Sequence, residues 1–204
     1  MNEQRLIIDQ TFSIMRFRHW ATLRHVLVID TETTGLNGCV WDFAAVRVHD
    51  LMPVLSFTCN PYADWEPDAL SMAGPEVLEL VSMSSDTNAM YHPLDKMFSM
   101  NQCVSYGGQF DTRAIRRTWD NLPVPFVQCA MSAYAPLAGQ WSDKYQGWEF
   151  VSLTAACERE GVPVIDGTHR AFVDALMLAA LIRAVAKLPT HDEAWMEKNR
   201  GLGV

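Results

Sequence analysis

The alternation of apolar and polar positions divides this chain into short strands and amphipathic helices. Leu6, Ile7, Ile8, Phe12, Ile14, Met15, Phe17 and Trp20 are spaced as on a helix that lays an apolar stripe on a domain. Arg5, Arg16, Arg18 and Arg24 are interleaved with them, so a basic and aromatic surface for nucleic acid or a partner is the alternative reading. Val26 to Ile29 is a branched apolar run of the kind found in a buried strand. Val40 to Val48 and Leu51 to Thr58 read as two more strands joined at His49 and Asp50, which predicts an antiparallel meander. Residues 61–75, rich in Pro, Asp and Gly, read as loop, with a short helix from Pro75 to Val81.

Further on, an amphipathic segment spans Met90 to Met100, followed by a short strand at Cys103 to Tyr106 and a helix from Phe110 to Trp119. Phe126 to Cys129 reads as a strand and Ala130 to Leu137 as a helix. Gly139 to Trp148 reads as a loop whose aromatics, Trp141, Tyr145 and Trp148, serve local packing or, alternatively, base stacking. Val151 to Glu160 is a helix stopped by Gly161, and Ala171 to Leu188 a long apolar one stopped by Pro189. Strands in a meander, then alternating strand and helix, then helices indicate an α/β sheet of mixed direction.

Length adds that one domain accommodates all 204 residues. The expected division is an N-terminal extension at 1–22, a single domain at 23–190 and a C-terminal tail at 191–204. Five scattered cysteines with no Cys-x-x-Cys pair argue against a zinc knuckle or a disulfide framework and for a reduced, cytoplasmic protein. No apolar run approaches membrane-spanning length, and the N-terminus lacks the pattern of a signal peptide. A net charge of -8 excludes a surface coated for long duplexes, so contact with nucleic acid should be local.

Chemistry enters at Asp30, Thr31 and Glu32, which end the first apolar strand. In extended chain Asp30 and Glu32 point to one face, where two acids repel unless a cation offsets them, and a divalent metal is the natural partner. Asp111, after the strand at 103–106 and at the start of a helix, is a second acid placed near a strand end. Asp174 lies among Phe172, Val173, Ala175, Leu176 and Leu178, company in which a carboxylate wants a metal or a partner. His169 stands five residues earlier; on a continuous helix the two would diverge by roughly 140°. They converge if His169 precedes the helix, and Gly167 and Thr168 supply a loop and an N-cap there.

In order, spacing and context, the stretch Val28 to Leu36, the pair Phe110 and Asp111, and the step from His169 to Asp174 resemble the DnaQ-like DEDDh 3′–5′ exonucleases of the ribonuclease H-like superfamily. The resemblance spans about residues 24–188, with Tyr106 and Gly107 where many relatives have His-Asn, and Cys129 and Ala130 where they have Asp-Thr. It implies a ribonuclease H-like fold: a mixed five-stranded sheet, an antiparallel meander of three strands followed by two parallel strands, flanked by helices. It also implies two Mg²⁺ or Mn²⁺ ions, with Asp30 bridging, Glu32 and Asp174 on the first, and Asp111 supporting the second mainly through water. His169 is then the general base for the attacking water. Thr31, Thr33, Thr34, Leu36, Phe110 and His169 are the implied substrate-binding positions, Leu36 as a wedge against the terminal base.

The implied activity releases nucleoside 5′-monophosphates from the 3′ ends of single-stranded or frayed DNA. An exoribonuclease acting on short RNA, or a non-catalytic module that binds nucleic acid or a polymerase, are the alternatives. The intact set of five residues argues against the last.

Overall fold

The computed structural model describes residues 3–165 and 170–199. Helix α1 (Glu3–Thr22) precedes β1 (Val26–Thr33), β2 (Val40–Arg47) and β3 (Pro53–Asn60); then come α2 (Pro67–Ala73), α3 (Val77–Ser82), β4 (Ser85–Asp86) and α4 (Tyr91–Met100). The second half runs β5 (Gln102–Ser105), α5 (Gly108–Thr118), β6 (Val127–Cys129), α6 (Ala130–Ala138), β7 (Trp141–Ser142), β8 (Gly147–Trp148), α7 (Leu153–Arg159), α8 (Ala171–Val185) and α9 (His191–Asn199).

Among the described residues one sheet has six strands in the order β4-β3-β2-β1-β5-β6, one more than the five expected. β1, β2 and β3 form the antiparallel meander, while β5 and β6 run parallel to β1. The additional strand, β4, pairs through Cys59 and Asn60 at the β3 edge. Two residues are too few for a period-two pattern to register.

Side chains alternate across β1 and sort the core into two layers. Val26 and Val28, with Ala44, Val46 and Val104, pack under α1, α6, α7 and α8. Leu27 and Ile29, with Phe43, Ala45 and Cys103, pack against α4 and α5. The N-terminal helix contributes to the first layer with Phe17 and Trp20, both fully buried, and the Trp20 indole N–H donates to Gln128 Oε1 at 3.1 Å.

Three other expectations change. Residues 67–73 are helical rather than loop, because Pro67 occupies the first helical turn, where its missing N–H costs nothing, and Gly74 ends the helix at φ 87°. The 191–204 tail contains α9, which Arg18 ties to the body through two contacts of 2.7–2.8 Å to the Glu193 carboxylate. In the aromatic loop β7 and β8 form a small hairpin with Trp141 and Trp148 edge to face at 5.3 Å. Trp148 donates to Asp9 and Arg5 lies over Trp141, so these two rings pack locally. All five cysteines are free thiols. No helix among the described residues is long and apolar enough to cross a membrane.

Candidate active site

The alternation that buries Val26 and Val28 beneath α8 carries Asp30 and Glu32 onto the same face of β1. Asp174, in the first turn of α8, meets them there: one carboxylate oxygen from each of the three lies within 4.8 Å of the others. Thr31 points to the opposite face, where its hydroxyl donates to Asp111 Oδ1 at 2.8 Å. Ser105, the last residue of β5, donates to Asp111 Oδ2 at 2.6 Å. Asp111 is thus buried with both oxygens held. It stands close enough to Asp30 to be the strongest charge acting on it.

Charge is costly in this arrangement. Asp30 is held well above the usual carboxylate range, first by burial and then by the charges of Asp111, Glu32, Asp174 and Asp42. Burial, followed by Asp174, Asp42 and Asp111, raises Glu32 from 4.5 to about 7, partly opposed by the Arg170 guanidinium. Burial also raises Asp111, against the lowering effect of its Ser105 and Thr31 hydrogen bonds. Three all-oxygen, anionic ligands at this separation fit a hard divalent ion, which would replace the mutual repulsion by attraction. Asp30, Glu32 and Asp174 are the residues that would hold it.

A pH dependence follows for the metal-free protein. A carboxylate whose folded pKa is raised binds its proton more tightly in the native state, so its stabilising contribution is complete below the unfolded pKa and is lost as pH rises through the folded one. For Glu32 that window runs from 4.5 to about 7. In chelator, wild type should lose stability between these limits more steeply than Glu32→Gln, and Mg²⁺ or Mn²⁺ should restore it at the upper end. Denaturant titrations at both pH values measure it; parallel curves for the two proteins would contradict the linkage.

Beside the acids lies a cleft of about 400 Å³ lined by Thr31, Glu32, Thr33, Leu36, Trp41, Glu66, Met72 and Phe110. Leu36 is 79% exposed and Met72 59% exposed, so the cleft has an apolar lip. The turn that presents Leu36 is tightly built. Leu36 N–H donates to Glu66 Oε2 at 3.1 Å, and a Cβ at Gly35 would displace the Glu66 carboxylate from this position. Thr33 Oγ1 donates to the Gly35 carbonyl at 2.7 Å. Thr34 is buried, and its hydroxyl oxygen accepts from the Cys39 amide at 3.2 Å. Both threonine side chains therefore shape the turn.

The sequence pattern did not single out Trp41, Asp42, Glu66, Met72, Ser105 or Arg170. Asp42 had a visible signal, an acid inside the apolar run from Val40 to Val48. It faces Arg170, whose Nε donates to Asp42 Oδ2 at 2.9 Å, and the same oxygen accepts from the Ala171 amide at 3.3 Å. The cap of α8 is therefore supplied from β2 by Asp42; Arg170 occupies the N-cap position but its side chain accepts no capping bond from the helix. The expected cap, Thr168, lies with His169 outside the described residues.

No protein-family model matches the chain, and a search of curated proteins finds no significant match. Solved structures do resemble it. Exonuclease X, in complex with 5′-overhanging duplex DNA, matches with a TM-score of 0.58 at 23% identity, over 84% of this chain and 98% of that one. E. coli Exonuclease I, in complex with an oligonucleotide, matches with a TM-score of 0.58 at 17% identity over 86% of this chain, which spans 43% of the Exonuclease I chain. The RNase domain of yeast Pop2 matches with a TM-score of 0.52 at 11% identity, over 94% and 90% of the two chains. The likeness is one of architecture, and it gives this chain the ribonuclease H-like fold of these nucleases.

Proposed function

We propose that this protein is a metal-dependent 3′–5′ exonuclease that releases nucleoside 5′-monophosphates from single-stranded or frayed DNA ends. The observation that carries the reading is the convergence of Asp30, Glu32 and Asp174 oxygens within 4.8 Å, at the edge of a cleft with an apolar lip. Two divalent ions, Mg²⁺ or Mn²⁺, would supply charge neutralisation at the attacked phosphate and at the leaving 3′-oxygen. Asp30 would contribute to both, Glu32 and Asp174 to the first, and Asp111 to the second through water.

Each remaining role falls to a residue of the chain. Leu36, projecting from a turn fixed by Glu66, packs against the terminal base and separates it from its neighbour; Phe110 and Thr33 line the same cleft. A base must leave its stack to enter, which favours single strands and frayed ends. Thr31 and Ser105 favour the ionised form of Asp111 by donating to it, partly offsetting its burial. His169 takes the proton from the attacking water.

DNA is favoured because Exonuclease X and Exonuclease I are both described with DNA or an oligonucleotide bound. Likeness to an RNase domain is the specific observation behind the second reading, an exoribonuclease. The two separate in one assay: 5′-labelled single-stranded DNA, duplex DNA and RNA, each with Mg²⁺, Mn²⁺ or chelator, beside Asp174→Ala. Expected is a ladder shortening from the 3′ end on single-stranded DNA with metal, and none with chelator or the variant. A ladder on RNA alone would select the second reading, and wild type inert on every substrate would overturn both.

A further inference from the structure

Asp42 is a carboxylate only 4% exposed, the third residue of β2, and it lies directly opposite Glu32 in the β1–β2 register. A buried charge beside other acids is unfavourable unless partners offset it. Asp42 has three: Arg170 Nε and the Ala171 amide both donate to Oδ2, and the Thr58 hydroxyl donates to Oδ1 at 3.2 Å. The guanidinium also lies over the Trp41 ring at 5.8 Å, and Trp41 packs on Trp65 with 5.6 Å between centroids.

What distinguishes this contact from an ordinary ion pair is where it leads. The Arg170 carbonyl accepts the amide hydrogens of Val173 at 2.9 Å and of Asp174 at 3.2 Å. Two bonds from Asp42 therefore reach the backbone of Asp174. Because α8 has no side-chain cap of its own, the acid on β2 sets how the first turn of the helix sits on the sheet. Asp30 and Glu32 are fixed on the neighbouring strand by the β1–β2 register. The carboxylates of one ion's ligand set must meet within tenths of an ångström, so the placement of this turn decides whether Asp174 completes the set.

We propose that Asp42 is a positioning residue for the catalytic centre: held by Arg170 and the Ala171 amide, it locks the first turn of α8 so that Asp174 meets Asp30 and Glu32. Its effect on turnover rests on the exonuclease reading; its effect on metal affinity does not.

The test compares Asp42→Ala, Asp42→Asn, Arg170→Ala and the double variant Asp42→Ala with Arg170→Ala, by Mn²⁺ calorimetry and by kcat and KM on single-stranded DNA. Asp42→Ala should lower Mn²⁺ affinity and kcat by roughly 10- to 100-fold, the range for partners that orient metal ligands, with KM little changed. Asp42→Asn, which keeps an oxygen for the Ala171 amide, should recover part of the loss. The double variant should lose little more than Asp42→Ala, because the two residues share one path. Unchanged Mn²⁺ affinity in a folded Asp42→Ala, additive losses in the double variant, or a lowered melting temperature alone would each overturn the role. Should Asp42→Ala fail to fold, Asp42→Asn and Arg170→Ala decide by the same Mn²⁺ readout. If wild type cleaves nothing, the exonuclease reading falls while the Mn²⁺ comparison still judges Asp42.

Discussion

Asp30→Asn is expected to remove nuclease turnover by about three orders of magnitude or more and, at the same time, to stabilise the metal-free protein. The two effects have one cause. Asp30 carries a charge that burial and the facing carboxylates of Asp111, Glu32, Asp174 and Asp42 all disfavour. Without metal, its ionised form is a liability that an isosteric amide removes. With metal, in the proposed two-ion reading, that charge would be the ligand shared by both ions, and a catalytic ion is worth several kcal/mol at about 1.4 kcal/mol per tenfold in rate. In chelator at neutral pH the variant should therefore melt above wild type, by about 2–4 °C per kcal/mol recovered in a chain of this size. On adding Mg²⁺ the order should reverse, because wild type gains binding energy that the variant has lost. Melting curves with and without metal, beside product ladders, measure both halves. A variant that still degrades DNA, or one less stable than wild type in chelator, would remove Asp30 from its role.

How far the site was legible depended on whether a residue's partner is near in sequence. Asp30 and Glu32 could be read because strand periodicity alone places them on one face, and burial of Val26 and Val28 on that face agrees. Asp174 could be read because a carboxylate among Phe172, Val173, Ala175 and Leu176 contradicts its surroundings. Asp111 was visible at a helix start, but its hydroxyl donors were not: Thr31 is 80 positions away and turns to the face opposite Asp30, and Ser105, although only six positions away, ends a different element. Asp42 gave the same kind of contradiction as Asp174, yet the partner that resolves it, Arg170, is 128 positions distant. Tertiary contacts also decided α9, whose pattern is weak and whose attachment is the Arg18 to Glu193 pair. Composition misled at α2, where Pro, Asp and Gly suggested loop although a proline in a first turn and a glycine just past the end are boundary signals for a helix.

His169→Ala is expected to lower kcat by about 10²- to 10⁴-fold, the usual contribution of a positioned general base, while leaving Mn²⁺ affinity and KM close to wild type. The contrast with the acids is chemical. Asp30, Glu32 and Asp174 supply the oxygens that converge, so substitutions there should reduce metal binding. The imidazole instead has to be neutral to accept a proton from water. Wild-type kcat should therefore climb with pH through the histidine range and level off above it. In His169→Ala that limb disappears, and the residual rate should follow hydroxide concentration, because solvent alone then accepts the proton. Measuring kcat from acidic to alkaline pH at saturating metal and substrate, with Mn²⁺ calorimetry on the same preparations, separates proton transfer from ligand loss. Full turnover by the variant at neutral pH would exclude His169 as the base, and a matching fall in Mn²⁺ affinity would make it part of the metal-binding framework instead.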